Sequence, residues 1–262
     1  MCGRFAVTTD PALLAEKIKA IDEVTGQEQS PAPNYNVAPT QTVSVLVKRH
    51  AEPGDESTRR LRRMRWGLIL PWVKATAEGG PDTKGPLLIN ARSEKVTSSP
   101  AFRASVKSKR CLVPMDGWYE WAQIGQAKGV KTPVYMYAGD EEPLFMAGLW
   151  SSWRPRNEAG AGSAEPPVSP APPVSPVLSC TILTADAVGP LADIHDRMPL
   201  TINEADWDRW LDPDAPVDEG LLRGHGDLDR IQFREVSRLV NNVRNNGPEL
   251  IEATGPQQPT LL

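Results

Sequence analysis

Arg110-Cys-Leu-Val-Pro-Met115, Gly117-Trp-Tyr-Glu-Trp-Ala122, Pro133-Val-Tyr-Met-Tyr137 and Leu144-Phe-Met-Ala-Gly-Leu-Trp150 follow one another with short connections. Each run is apolar, rich in β-branched or aromatic residues, and bounded by turn formers, the pattern of a strand. Working outward, Thr42 to Val47 alternates as a strand, and Leu61 to Leu70 is the next one after a charged turn at 51–60. The basic cluster Arg62, Arg63 and Arg65 beside Trp66 reads as a solvated edge strand. Val177 to Thr184 is a further strand. Many short strands with a few short helices predict a single α+β domain over residues 2–252. It is built around a curved, mostly antiparallel β-sheet with a barrel-like core.

The helices are marked by their caps. Thr9-Asp10-Pro11 opens one, with a capping side chain and Pro in the first turn, and Leu13, Leu14 and Ile18 supply its apolar stripe. Ser99-Pro100 opens another over Ala101 to about Lys107, and Asn203 caps a short helix that gathers Trp207, Trp210 and Leu211 on one face. Residues 30–40 carry three prolines and read as a stiff loop. Residues 154–176 hold seven prolines among Ala, Gly, Ser and Glu, a composition that builds no packed element. A domain linker would look the same, but both flanks read as strands, so a disordered insertion is expected. Residues 253–262 are expected to be a flexible tail.

Composition excludes several classes. No apolar run approaches 18 residues and no basic-then-apolar leader opens the chain, so neither a membrane span nor a secretory signal is expected. The expected location is the cytoplasm. Three cysteines without a CxxC or Cys/His spacing argue against a disulfide framework or a structural metal. Cys111 and Cys180 lie in apolar runs and read as small core residues. The net charge of −4 hides an asymmetry: residues 1–150 carry 20 basic against 16 acidic residues, and residues 151–262 carry 9 against 17. A polyanion would meet the N-terminal part.

The chain opens Met1-Cys2-Gly3-Arg4-Phe5. The small residue at position 2 favours removal of Met1, which would leave Cys2 with a free α-amine and a thiol on one carbon. The amine titrates at about 7.7–8.0 and the thiol near 8.5, so both are partly deprotonated at neutrality. Together they can attack one carbonyl carbon twice and close a thiazolidine; alternatively the thiolate acts in acyl transfer with its own amine as base. Three other patches place functional groups beside turns: Ile89-Asn90-Ala91-Arg92-Ser93-Glu94, Asp116-Gly117-Trp118-Tyr119-Glu120-Trp121 and Asp193-Ile194-His195-Asp196-Arg197-Met198-Pro199. Aromatic surroundings would raise the Glu120 pKa and suit it to proton transfer. Each patch also has a structural reading. Asn90 would cap a turn, Arg92 would pair with a carboxylate, the aromatics would be core with Glu120 in water, and His195 would be a satisfied structural histidine.

These patches, with Tyr35-Asn36-Val37-Ala38-Pro39 and Val243-Arg244-Asn245-Asn246-Gly247, occur in an order that resembles the SRAP (SOS-response-associated peptidase) family over residues 2–252. The resemblance implies a protein that binds single-stranded DNA and crosslinks to the ring-opened aldehyde of an abasic site, as part of the DNA damage response. By motif match Cys2 is its nucleophile, and Asn90, Glu120 and His195 hold the other active-site positions. Glu120 would move protons during dehydration, His195 would protonate the sugar-ring oxygen, and Asn90 would hold the Cys2 amine or the sugar oxygen. Arg4 and Arg92 match DNA-contacting positions, and Trp72 looks like a stacking residue. Arg197 and Arg238 would bind phosphate, and Asn36, Pro39 and Phe102 would wedge a single-strand/double-strand junction. The resemblance implies no metal and no other cofactor, a monomer, no membrane partner and an association with the nucleoid. Two alternatives stand beside it: a Cys-dependent peptidase or amidase with an N-terminal nucleophile, which uses the same Cys2, and a non-covalent reader of modified DNA, which would survive loss of the Cys2 thiol.

Overall fold

The computed structural model describes residues 2–25, 31–123, 131–155 and 175–254. The predicted insertion falls mainly on 156–174 and the predicted tail mainly on 255–262, so both lie outside the described residues. In chain order the strands are β1 (Phe5–Val7), β2 (Ile21–Asp22), β3 (Asn34–Val37), β4 (Thr42–Arg49), β5 (Thr58–Trp66) and β6 (Asn90–Arg92). They continue with β7 (Arg110–Met115), β8 (Gly117–Ala122), β9 (Thr132–Ala138), β10 (Leu144–Trp153), β11 (Val177–Asp186), β12 (Arg197–Pro199) and β13 (Ile231–Glu235). Short helices α1 (Pro11–Lys17), α2 (Ser105–Ser108), α3 (Leu191–Ile194), α4 (Trp207–Leu211) and α5 (Glu219–Arg223) are interspersed.

The larger sheet closes on itself. Its neighbours run β11, β10, β7, β4, β5, and β5 returns to β11 through the parallel pairs Arg65–Ser179 and Trp66–Cys180. Closure makes a five-stranded barrel with most of its pairs antiparallel, as the α+β reading predicts. Alternation then sorts the side chains. Val43, Val45, Val47, Met64, Trp66, Cys111, Val113, Met146, Trp150, Cys180 and Ile182 fill the interior. Leu46, Leu61, Leu112, Ala147, Leu149 and Leu183 point outward, under the apolar faces of α1, α4 and α5. A second sheet, ordered β13, β9, β8, β1, β3, lays Phe5, Val37, Trp118, Val134 and Met136 against the barrel interior's cluster, so it covers one end of the barrel. Gly117 is required where β8 crosses β9, because a Cβ there would collide with the Met136 carbonyl oxygen.

Several expectations need correction. Barrel closure puts β5 between β4 and β11, so it is not an edge strand, and Arg60 and Arg62 share the inward face with Met64. The 30–40 segment contains β3, which pairs with β1 between the flanking prolines. In α1 the buried stripe is Leu14, Ala15 and Ile18, while Leu13 is 65% exposed. Asp10 caps α1, its side chain accepting from the Ala12 and Leu13 amides. Asn203 precedes its helix but its side chain instead accepts from the Asp227 amide. Residues 100–104 form turns, and only Ser105–Ser108 is α-helical.

Candidate active site

The N-terminal residues run along β8. The pairs Phe5–Trp118 and Ala6–Gly117, with the Tyr119 amide donating to the Arg4 carbonyl at 2.9 Å, extend the register so that Gly3 lies opposite Glu120. Asp116 secures the turn before β8, accepting from the Thr8 amide at 2.6 Å and the Thr9 hydroxyl at 3.3 Å. Trp118 and Glu120 alternate onto the same face, toward the covered end of the barrel. Glu120 is therefore buried (4% exposed) rather than turned to water.

Asn90 arrives from the barrel side. The Trp66 indole and the Ile182 amide both donate to the Ile89 carbonyl at 3.0 Å, and β6 pairs with β11 from Asn90 onward. The Asn90 side-chain amide then donates to the Cys2 carbonyl at 2.7 Å. Its Oδ1 is buried and has no hydrogen-bond donor among the described residues. The fourth residue comes on α3, which buries Leu191 in the barrel cluster and ends at His195. His195 Nε2 stands 4.0 Å from Glu120 Oε2, within ion-pair range and too long for a direct hydrogen bond. The structure thus brings Cys2, Asn90, Glu120 and His195 to one end of the barrel.

Burial sets the electrostatics. It pushes the Glu120 carboxyl up to about 7. It drives the Cys2 thiol far above the usual thiol range, with the Glu120 charge adding to the effect. Burial also lowers the His195 imidazole. The Glu120 carboxyl is thereby brought to neutrality while the facing His195 is lowered below its usual value, so burial favours the uncharged form of both and poises Glu120 for proton transfer near pH 7. The second His195 nitrogen, Nδ1, lies 2.7 Å from Asp196 Oδ1 and accepts from the Arg197 amide at 3.0 Å. The Arg197 main chain orients the ring while Nδ1 is bare and Asp196 does so once Nδ1 is protonated, a role the sequence does not single out.

The expected DNA-contacting residues divide into two groups. Arg92, Arg238 and Trp72 are exposed on the surface. Pro39 and Phe102 are half-buried, Phe102 against the cluster under the helices. Asn36, Arg4 and Arg197 are instead engaged by the protein. Asn36 is buried; its amide nitrogen lies 3.0–3.3 Å from the carbonyls of Val240, Asn242 and Asn245. Its oxygen accepts from Arg4, which also donates to Val240 O and lies over the Trp121 ring. The Arg197 guanidinium is buried and held by Glu94, Asp186 and the Thr184 carbonyl. That placement does not match a phosphate ligand, because the charge is already bonded to two carboxylates. Among the described residues no group of three or more His, Cys, Asp or Glu could hold a metal ion, and no helix is long and apolar enough to cross a membrane.

Comparison with known families supplies the class of protein to which this fold belongs. The chain belongs to the SOS response associated peptidase (SRAP) family, whose family model matches residues 1–243. It is similar to the abasic site processing protein YoqW of Bacillus subtilis, at 34% identity over 257 residues, covering 97% of this chain and all of the relative. It is also similar to the abasic site processing protein HMCES of Gallus gallus, at 33% identity over 273 residues, covering 96% of this chain and 77% of the relative. A solved protein of Bacteroides thetaiotaomicron shares the fold, with a TM-score of 0.71 over 97% of this chain and all of that one, at 21% identity.

Proposed function

We propose that this chain processes abasic sites in single-stranded DNA, and that it does so by forming a covalent crosslink through Cys2 once Met1 is removed. With Met1 in place the Cys2 nitrogen is an amide and has no nucleophilic lone pair, so removal of Met1 switches the chemistry on. The amine adds to the aldehyde of the ring-opened sugar and the carbinolamine loses water to give an imine. The thiol then adds across the C=N bond, its proton passing to nitrogen. One water is released and no electrons are exchanged. Glu120 and His195 carry the protons of the dehydration, and Asn90 fixes the Cys2 main chain beside them.

The observation that carries the reading is the Asn90–Cys2 hydrogen bond at 2.7 Å at the same end of the barrel as the Glu120–His195 pair at 4.0 Å. The names of relatives that span nearly the whole chain support the abasic-site substrate. In this reading the exposed Arg92, Arg238 and Trp72 supply cations and a stacking surface for a single strand, and Pro39 and Phe102 meet a duplex end. The chain acts as a monomer at the nucleoid without a cofactor. A lyase side reaction through the imine and autocatalytic removal of Met1 belong to the same chemistry. A thiol peptidase is less well supported. Burial holds the thiol protonated, and its hydrogen bond runs to the Arg4 carbonyl at 4.0 Å.

The test mixes protein beginning at Cys2 with a single-stranded oligonucleotide bearing one abasic site, followed by a denaturing gel and intact mass spectrometry. A heat-stable band at the mass of the sum less one water, absent from Cys2→Ala, is the expected result. No such band from protein confirmed to begin at Cys2 overturns the proposal.

A further inference from the structure

The barrel end remote from Cys2 is crowded with positive charge. The β4–β7 pair Leu46–Leu112, extended by three residues, sets Arg49 opposite Lys109, and the β7–β10 register sets Lys109 opposite Trp150. The contacts agree. The Arg49 guanidinium carbon lies 4.9 Å and the Lys109 ammonium 5.4 Å from the centroid of the Trp150 ring. On the same inward face of β5, Arg60 and Arg62 stand opposite Val47 and Val45. Glu23 bonds both of these arginines, at 2.6 and 2.7 Å. The Glu23 charge also acts on Arg49, so one carboxylate is shared among three arginines, and among the described residues neither Arg49 nor Lys109 has a recorded ion pair of its own.

Like charges set opposite one another across a strand pair repel, and the indole they share offsets only part of that. Burial and the neighbouring Arg62 and Arg60 lower the Arg49 pKa; burial and Arg49 lower that of Lys109. Among the described residues the four cations share one recorded carboxylate, Glu23, which leaves a local excess of positive charge in a chain of net charge −4. An arginine fork beside a lysine point charge matches a multiply charged tetrahedral oxyanion. From Val43 to Arg49 the strand rises about 20 Å, so this end is separate from the Cys2 pocket.

We infer that the Arg49–Lys109–Trp150 mouth of the barrel, with Arg60 and Arg62 behind it, is a phosphate-binding site distinct from the Cys2 site. The phosphate belongs either to a small phosphate compound or to a nucleic-acid backbone, and the two sources separate experimentally.

The full-length chain is compared with Arg49→Gln, Lys109→Gln and the double variant. In thermal melts at constant ionic strength, phosphate or pyrophosphate raises the melting temperature of the wild type relative to chloride, because a ligand of the folded state stabilises it. The double variant loses that rise, whereas Arg49→Lys keeps it. Binding of a long single-stranded oligonucleotide is then measured against salt. If the backbone is the source, the double variant loses about 1.4 from the slope of log K on log salt, at about 0.7 per phosphate contact. An unchanged slope with a lost phosphate effect assigns the site to a small phosphate compound. Equal phosphate shifts in wild type and double variant, with equal slopes, overturn the inference. Should the double variant not fold, the Trp150 indole N–H resonance of the wild type, assigned with Trp150→Phe, decides. It moves with phosphate and not with chloride, and a stationary resonance overturns the inference. Crosslinking to an oligonucleotide too short to span the barrel proceeds at the wild-type rate in these variants, so failure here leaves the Cys2 reading untouched.

Discussion

Asn90 and Cys2, separated by 88 positions in the chain, are joined by one hydrogen bond from the Asn90 side-chain amide to the Cys2 carbonyl at 2.7 Å. This bond sets where the Cys2 nitrogen and sulfur sit relative to Glu120. Asn90→Ala removes it and leaves the carbonyl to relax. Loss of one such bond costs about 1 kcal/mol of stability. Misplacement of a nucleophile by about 1 Å costs far more in rate, on the order of 100-fold. The expected outcome is a crosslinking rate roughly 10- to 100-fold lower with a nearly unchanged melt. A large loss of stability with a normal rate per folded molecule would count against the positioning role.

Glu120 predicts a pH dependence in two observables. Its carboxyl is raised by burial from 4.5 to about 7, so the fold favours the protonated form. That contribution to stability is complete below about pH 4.5 and is lost as pH rises through 7, on the order of 3 kcal/mol at most. Glu120→Gln keeps the shape and cannot ionise, so its stability falls less than that of the wild type between pH 5 and 8 in denaturant titrations. Its crosslinking rate drops roughly 100-fold or more, and the inflection near pH 7 disappears from the rate profile. An inflection that persists in the variant assigns the titration to another group.

How much of this was legible in the sequence depends on distance along the chain. The strands at 110–115 and 117–122 and the cap at Asp10 are local patterns, and the structure keeps them. β3 was hidden because the prolines at 31, 33 and 39 dominate the local reading, while the pairing that makes the strand comes from β1. The status of β5 was illegible because only barrel closure, a contact between residues 65 and 179, removes its free edge. Cys2, Asn90, Glu120 and His195 stand out as unusual groups beside turns, but the 4.0 Å between Glu120 and His195 follows from α3 docking on the barrel cluster. Arg197 and Asn36 show the limit. A cation and an amide in a motif look equally suited to DNA and to the interior, and only their partners distinguish the two.

Asn36 offers a direct check on that distinction. One buried amide serves three carbonyls of the 240–245 segment and accepts from Arg4. Asn36→Ala leaves several buried acceptors unmatched, and a cost of about 2–3 kcal/mol is expected in denaturant unfolding. Arg4 keeps its bond to the Val240 carbonyl and its place over the Trp121 ring, so DNA affinity is expected to change little per folded molecule. A variant with full stability and weak DNA binding would place Asn36 on the DNA instead.

The arginines separate by the same logic into two experiments with opposite readouts. Arg197 is buried between Glu94 and Asp186 and donates to the Thr184 carbonyl, so it ties β12 to β11 and fixes the residue that follows His195. Arg197→Met deletes a buried partner of two carboxylates that are themselves partly or largely exposed, which limits the penalty to about 2–3 kcal/mol. The melt should fall, and crosslinking should slow because the main chain at 197, whose amide bonds the His195 ring, is no longer tied down by the guanidinium. The salt slope of DNA binding should not change. Arg92 and Arg238 are exposed, and their replacement by Gln should leave the melt within about 0.5 kcal/mol of wild type. Each should instead lower the salt slope by about 0.7, the signature of one lost contact to a single-strand phosphate. Measured together by anisotropy at several salt concentrations and by thermal melts, the three variants decide which charges face DNA. A lost slope in Arg197→Met, or a lost melt in Arg92→Gln, would exchange the two assignments.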